Sequence, residues 1–341
     1  MKKINKVIGC GGVGKGLLFH STVNETLGRS ESRLVTLSPA RDYCKQQIVF
    51  YYIAAFLKGK AEVFPIGAVG EDSLGEELIA QMKVQGMNVH CMKKIKGSPT
   101  MLSICLQYPD KEGCNFTAEN SAAGEVTPEF IEAALEEIGI DENSCLIAVP
   151  EVRIESRICM LKKGKERGAV CVLSVPASEA EEFERSGIYS ACDLVAVNEE
   201  EARAMTGNPE SGRSLAKDLL EYLQKWNPGV AVCVTLGKMG AYCGKRDRIE
   251  FVPAFPAEAV NTTGAGDAFL GALVSGLVLG LPFLKGYEDK QFGETKLFSA
   301  PELASVCAGM AVEEEDSIAE NVNLFSVCKK IEESGWEQNF L

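Results

Sequence analysis

Histidine is nearly absent. His20 and His90 are the only two in 341 residues, which excludes a metal site built on several imidazoles. Basic residues are in deficit, with 35 Lys and Arg against 48 Asp and Glu and a formal charge of −13. That balance excludes a broad cationic face and so argues against nucleic acid as a partner, because backbone binding requires counterion displacement. It leaves room for a polyphosphate, which backbone N–H groups, a local Lys or Arg and a divalent metal can hold. No apolar run approaches the roughly 20 residues of a membrane helix, and Met1 to Gly9 carries only a short apolar piece. The expectation is a soluble cytoplasmic protein with no membrane partner. CxxC pairs are also missing, and the 13 cysteines are odd in number and scattered singly from Cys10 to Cys328. They read as reduced core residues, not as a disulfide framework. There is no internal repeat and no low-complexity tail.

What is present is a globular composition, 46% hydrophobic and 24% charged, read as one domain over residues 1–341. Short apolar runs alternate with amphipathic stretches, the pattern of a doubly wound, mainly parallel sheet with helices on both faces. The strand candidates are Lys6 to Cys10, Glu62 to Ile66, Cys145 to Val149, Val170 to Ser174, Asp193 to Val197 and Val230 to Thr235. A helix from Leu74 to Gln85 is expected to open on a capping box of Ser73 and Glu76. Around Leu34 to Ser38, and at Thr100 to Gln107 with Asn115 to Ala118, β-prone runs lack intervening helices. They suggest a small β lid inserted from about 12–40 and 98–120. Residues 281–299 read as an inserted surface loop.

Asn261 to Asp267 carries the clearest chemistry. Gly264 and Gly266 flank Ala265 just before the helical run Ala268 to Val274. Glycines at a helix start let backbone approach a ligand, and the free N–H groups of the first turn then form an anion hole for a phosphoryl group in transfer. Asp267 has two readings there: a carboxylate favourable in the first helical turn, or a base that accepts the proton of an attacking hydroxyl.

Thr262 to Phe269 resembles the C-terminal signature of the PfkB, or ribokinase-like, carbohydrate kinases. Three further segments fall in the family's order. Ile66 to Gly75 resembles its N-terminal turn and helix, Asn198 to Glu201 its NxxE motif, and Val234 to Ala241 its nucleotide-side strand and turn. The resemblance runs from about Val7 to Lys330. It implies a ribokinase-like α/β fold with a β-sheet lid, ATP and Mg2+ as cofactors, Asp267 as base, and Gly264, Ala265 and Gly266 as anion hole. Asn198 and Glu201 would act near magnesium and the phosphates through water, with no direct metal ligand; by themselves they read as a helix N-cap with acidic residues in the first turn. Thr235, Gly237, Gly240 and Thr263 complete the nucleotide side.

The chain also departs from that pattern. Gly9 to Gly16 fits GxGxxG and nearly fits a Walker A loop, but Gly16 stands where Ser or Thr would reach magnesium, and Leu17 to Arg29 carries only weak helical signals. Relatives place an Asp for substrate hydroxyls where this chain has Gly14. Gln46, Gln47 and Tyr51 align with the substrate grip of sugar kinases, and Glu151 with a Glu used near the sugar. Arg41 and Lys45, four apart, would share a helical face and with Lys15 could receive an acceptor carboxylate or phosphate, or could form a solvated surface face. Asn261 stands for the Asp that opens the signature, and Glu313 to Glu320 lacks the Gly-Ala turn near the relatives' cation site, so a monovalent cation requirement is left open. The expected activity is ATP-dependent phosphorylation of a hydroxyl on a sugar or sugar-like molecule. The alternatives are a nucleoside or vitamin-like alcohol as acceptor, and a ligand sensor without catalysis. A homodimer through the lid is a further expectation.

Overall fold

The six apolar runs become neighbouring strands, because a strand covered on both faces must be apolar throughout. The computed structural model describes residues 3–110, 113–285 and 297–336. Its chain order begins β1 (Lys6–Cys10), β2 (Gly14–His20), β3 (Thr36–Leu37), β4 (Asp42–Tyr43), α1 (Lys45–Leu57), β5 (Glu62–Gly70) and α2 (Ser73–Val84). Then come β6 (Met92–Ile95), β7 (Met101–Gln107), β8 (Gly113–Thr117), α3 (Pro128–Ile138), β9 (Ser144–Ala148), α4 (Ile154–Glu166), β10 (Val170–Leu173) and α5 (Ala180–Ser186). It closes with β11 (Leu194–Asn198), α6 (Glu199–Thr206), α7 (Gly212–Gln224), β12 (Ala231–Thr235), β13 (Gly240–Lys245), β14 (Arg248–Pro253), α8 (Ala265–Leu279), α9 (Ala300–Val312) and α10 (Leu324–Ser334).

The large sheet has the order β14-β13-β12-β11-β10-β9-β1-β5-β6. From β12 to β6 every pairing is parallel, and β13 and β14 add an antiparallel edge. Side chains alternate between two cores: Val7 and Cys145 join α1, α8 and α9 on one face, while Ile8 and Leu146 join α3, α4 and α7 on the other. Because these strands are parallel, Cys10, Ala148, Leu173, Asn198 and Thr235 all end on one edge of the sheet, the usual place for a ligand in such folds.

Helix α8 packs between α1 and α9. The contact with α1 is close because Gly271 has no side chain: a Cβ there would come within 2.5 Å of the Val49 carbonyl. Both helices open at the carboxyl edge of the sheet, so their N-termini meet at one place.

The second sheet has the order β3-β2-β7-β8, with β4 also on β2. The segment after the glycine-rich run is strand, as its weak helical signal and place in the expected lid suggest: Gly14 to His20 is held in a parallel ladder by Met101 to Gln107. One expectation about the surroundings of this sheet needs correction. The start of α2 is capped by Asp72 in place of a Ser73/Glu76 box. Asp72 Oδ1 accepts from the Gly75 N–H at 2.8 Å and its Oδ2 from the Thr100 N–H at 2.8 Å, whereas Glu76 reaches out to Lys94 at 2.9 Å. One carboxylate thus both starts a helix and ties the base of the lid to the body. Of the expected insertion at 281–299, residues 286–296 lie outside the described residues; its two ends dock through buried Leu281 and Leu297.

Candidate active site

The turn before α8 is shaped by its sequence. The buried Asn261 accepts the Thr263 N–H at 3.0 Å and donates from Nδ2 to the Glu315 carbonyl at 2.8 Å. Gly264 then takes φ 81°, and a Cβ there would meet the Ser317 carbonyl oxygen at 2.4 Å. Both constraints demand glycine. Ala265 opens the helix, and Asp267 falls in its first turn. Gly266 differs, since a Cβ there would meet nothing within 4 Å. Its bare backbone borders a cleft.

That cleft, of about 160 Å³, is lined by Gly264, Gly266 and Asp267 from α8, Asn198 and Glu201 from α6, Ser174 and Thr235 from strand ends, and Lys45 from α1. Asn198 and Glu201 form a complete capping box: the Glu201 N–H donates to Asn198 Oδ1 at 2.9 Å, and the Asn198 N–H to Glu201 Oε2 at 2.8 Å. Capping and cleft lining are therefore compatible. The cap fixes both side chains at the cleft wall and uses one Glu201 oxygen. Burial raises the Glu201 carboxyl above the usual range.

Asp267 is mostly buried, and its Oδ2 lies 3.7 Å from Lys45 Nζ. Burial raises its carboxyl; Lys45 is the largest influence in the other direction. Asp267 in turn holds the Lys45 ammonium above the usual lysine range. Behind Lys45 stands Glu151, whose Oε2 accepts the Lys45 backbone N–H at 2.9 Å. Burial pushes the Glu151 carboxyl up to about 7. Glu151 has φ 76°, a left-handed conformation costly for a side chain with a Cβ. Gly12 leaves the space for it, since a Cβ there would fall 2.4 Å from Glu151 Cβ.

The other expected substrate residues do not converge on this cleft. Gly14 packs on the Met101 backbone, where a Cβ would be 2.4 Å from the carbonyl oxygen. Lys15 pairs across the ladder with Leu102 and Tyr43, on the face of the lid opposite Gly14 and Gly16. Arg41 shares no helical face with Lys45, because α1 begins only at Lys45. Its guanidinium is taken by Asp316 at 2.5 Å and Glu320 at 2.5 Å. Gln46 and Gln47 are fully buried; their amides donate to the Gly9 carbonyl at 3.3 Å and to Gln81 Oε1 at 3.1 Å. The Tyr51 hydroxyl accepts the Asn321 N–H at 3.2 Å. Gly237 and Gly240, expected on the nucleotide side, shape the turn between β12 and β13, with φ 55° and 123°. Ser174 was missed, although its place just past a strand end was a signal for it.

Residues 52–322 match the family described as pfkB family carbohydrate kinase. A ribokinase of Schizosaccharomyces pombe is 29% identical over 231 residues, 67% of this chain and 70% of that protein. Among solved structures, ribokinase from Giardia lamblia superposes with a TM-score of 0.78 at 21% identity, covering 95% of this chain and 99% of the other. Ribokinase of Arabidopsis thaliana, complexed with ribose and ATP, gives 0.71 at 18% identity over 96% and 99%. The large, mainly parallel sheet, the smaller sheet beside it and the match along most of the sequence agree: the chain is a kinase and belongs to the pfkB family of carbohydrate kinases.

Proposed function

We propose that this kinase transfers the terminal phosphoryl group of ATP to a hydroxyl of a sugar or sugar-like compound, with Asp267 as base. The observation that carries the reading is the placement of Asp267: a buried carboxylate beside the open backbone of Gly266, in the first turn of a helix whose N-terminal residues Gly264 and Gly266 line the same cleft. In that arrangement Asp267 takes the proton of the attacking hydroxyl, and the amides of Gly264, Ala265 and Gly266 stabilise the charge on the group in flight. ATP as donor is supported by the Arabidopsis ribokinase, which was solved with it. Magnesium fits the oxygen atoms that Asn198 and Glu201 offer at the cleft wall. Asn198 and Glu201 would hold it through water, and when bound it neutralises polyphosphate charge. Thr235, Gly237, Gly240 and Thr263 would form the nucleotide side. The lid would exclude water during transfer. No helix among the described residues is long and apolar enough to cross a membrane. We place the enzyme in the cytoplasm, acting as a homodimer through the lid.

The test is an ATP-consumption screen over sugars, sugar acids, sugar phosphates and nucleosides with the wild type and Asp267→Asn. Acceptor-dependent turnover that falls by several orders of magnitude in Asp267→Asn, with ATP still bound, is expected. Near-normal turnover in that variant removes Asp267 as base. Turnover confined to nucleosides moves the acceptor class, and tight ligand binding with no turnover at all makes the protein a sensor.

A further inference from the structure

Lys45 is the only cation among the described residues lining the cleft, and the acids around it outnumber it. Asp267 of α8 is within 3.7 Å. Glu151, in the turn after β9, Glu201 of α6 and Asp42 of β4 all act on Asp267 or on Lys45 electrostatically. A buried carboxylate among three others takes up a proton unless a cation stands beside it, and a protonated Asp267 could not serve as base.

The helix end that carries Lys45 is also held from behind, through its backbone. Helix α1 has Cys44 at its N-cap, with no side-chain cap bond of its own. The missing acceptor comes from Glu151, more than a hundred residues away, at the cost of a left-handed backbone. Strain of that kind, of order 1–3 kcal/mol, persists only where the surroundings enforce it. Here Gly11 and Gly12 make the room: a Cβ on Gly11 would lie 2.2 Å from Val149 Cγ2, and one on Gly12 2.7 Å from Glu151 Oε2. Loop, helix end, lysine and base form one connected chain of contacts.

We propose that Lys45 is a positioning residue for Asp267, keeping its carboxylate ionised and fixed in direction, and that Glu151 holds the helix end that carries Lys45. This rests on the reading of Asp267 as base. It has a consequence for the acceptor: with Arg41 tied to Asp316 and Glu320, Lys45 paired with Asp267 and Lys15 on the other face of the lid, none of the expected cations among the described residues is left to receive an acceptor anion, so the substrate class is a neutral polyhydroxy compound.

The experiment titrates the Asp267 carboxyl directly, by ¹³C NMR of the full chain labelled at aspartate Cγ, with the signal assigned by its loss in Asp267→Asn. In Lys45→Met, which keeps the aliphatic stem, the midpoint is expected to rise by about one pH unit or more. Lys45→Arg should restore it. Glu151→Gln keeps an acceptor for the Lys45 N–H but removes a charge, and should lower it. An unchanged midpoint in folded Lys45→Met overturns the proposal. So does a tenfold loss of MgATP affinity by calorimetry, which would assign Lys45 to the polyphosphate, or a loss of turnover restricted to anionic acceptors. Because the titration needs no acceptor and no turnover, its failure is distinct from failure of the base assignment, which the activity of Asp267→Asn decides.

Discussion

Gly264 and Gly266, two residues apart, answer to different demands. Gly264 is required by the backbone, through a positive φ and the Ser317 carbonyl 2.4 Å from where a Cβ would sit. Gly266 is under no such demand, and its open side faces the cleft. Gly264→Ala should therefore lower stability by about 1–3 kcal/mol along with activity, measured by denaturant unfolding beside turnover. Gly266→Ala should leave the unfolding midpoint within about 0.5 kcal/mol of wild type, while kcat/KM falls at least tenfold because the methyl occupies the space of the transferred group. Equal stability losses in the two variants would contradict the distinction. The turn and the helix start were legible in the sequence because the pattern is local: glycines, acid and helix start fall within seven residues. The partners of Arg41 were not. They lie 275 and 279 residues away, and ion pairing across such a distance is decided by the fold alone.

The segment from Glu313 to Asn321 links the turn before α8 to α1. Ser317 donates its N–H to the Arg41 carbonyl at 3.0 Å, and the Ala319 N–H donates to the Tyr52 hydroxyl at 3.0 Å. Asn261 closes the connection through the Glu315 carbonyl at 2.8 Å. Where an aspartate would need a cation to face a carbonyl oxygen, the asparagine amide donates to it directly. Turnover of the wild type is thus expected to change less than about twofold when potassium is replaced by sodium or by an organic cation at constant ionic strength, since the bond needs no bound charge. Asn261→Asp puts two acceptors face to face and should lower both stability and rate; a potassium-dependent recovery in that variant, absent in wild type, would show that the amide stands in for an ion. Uniformly apolar runs were legible, as the six parallel strands show. The two-residue strand β4 was not, because Asp42 and Tyr43 form it only by pairing with Gly16 and Lys15 far back in the chain. Gln46 and Gln47 were named because they align with a substrate grip; the fold instead sets one amide on the buried Gly9 carbonyl and the other on Gln81 of α2, partners that an alignment does not reveal.

At the scale of the whole molecule, the lid has two unlike faces. In its ladders Gly16 stands with Asp42 and Ser103, and Cys105 with Asn115, a polar face that includes the buried Asp42 and Ser103. Phe19 stands with Leu37 and Leu106, and Ile104 with Phe116, an apolar face. Leu37, Leu102, Ile104 and Phe116 are exposed there, Phe116 by 68%. A contiguous apolar sheet face of this kind marks an interaction surface, and strands β3 and β8 add unpaired edges. A twofold pairing of lids would cover face and edge in both copies with the same residues. The protein is expected to sediment as a dimer at micromolar concentration, and Ile104→Glu with Phe116→Glu to give a folded monomer. On the proposed reading, in which the lid closes over the cleft during transfer, the monomer should also show a raised KM for the acceptor with MgATP affinity unchanged. A wild type that sediments as a monomer would leave the apolar face without this partner, and an intact dimer in the double variant would place the interface elsewhere.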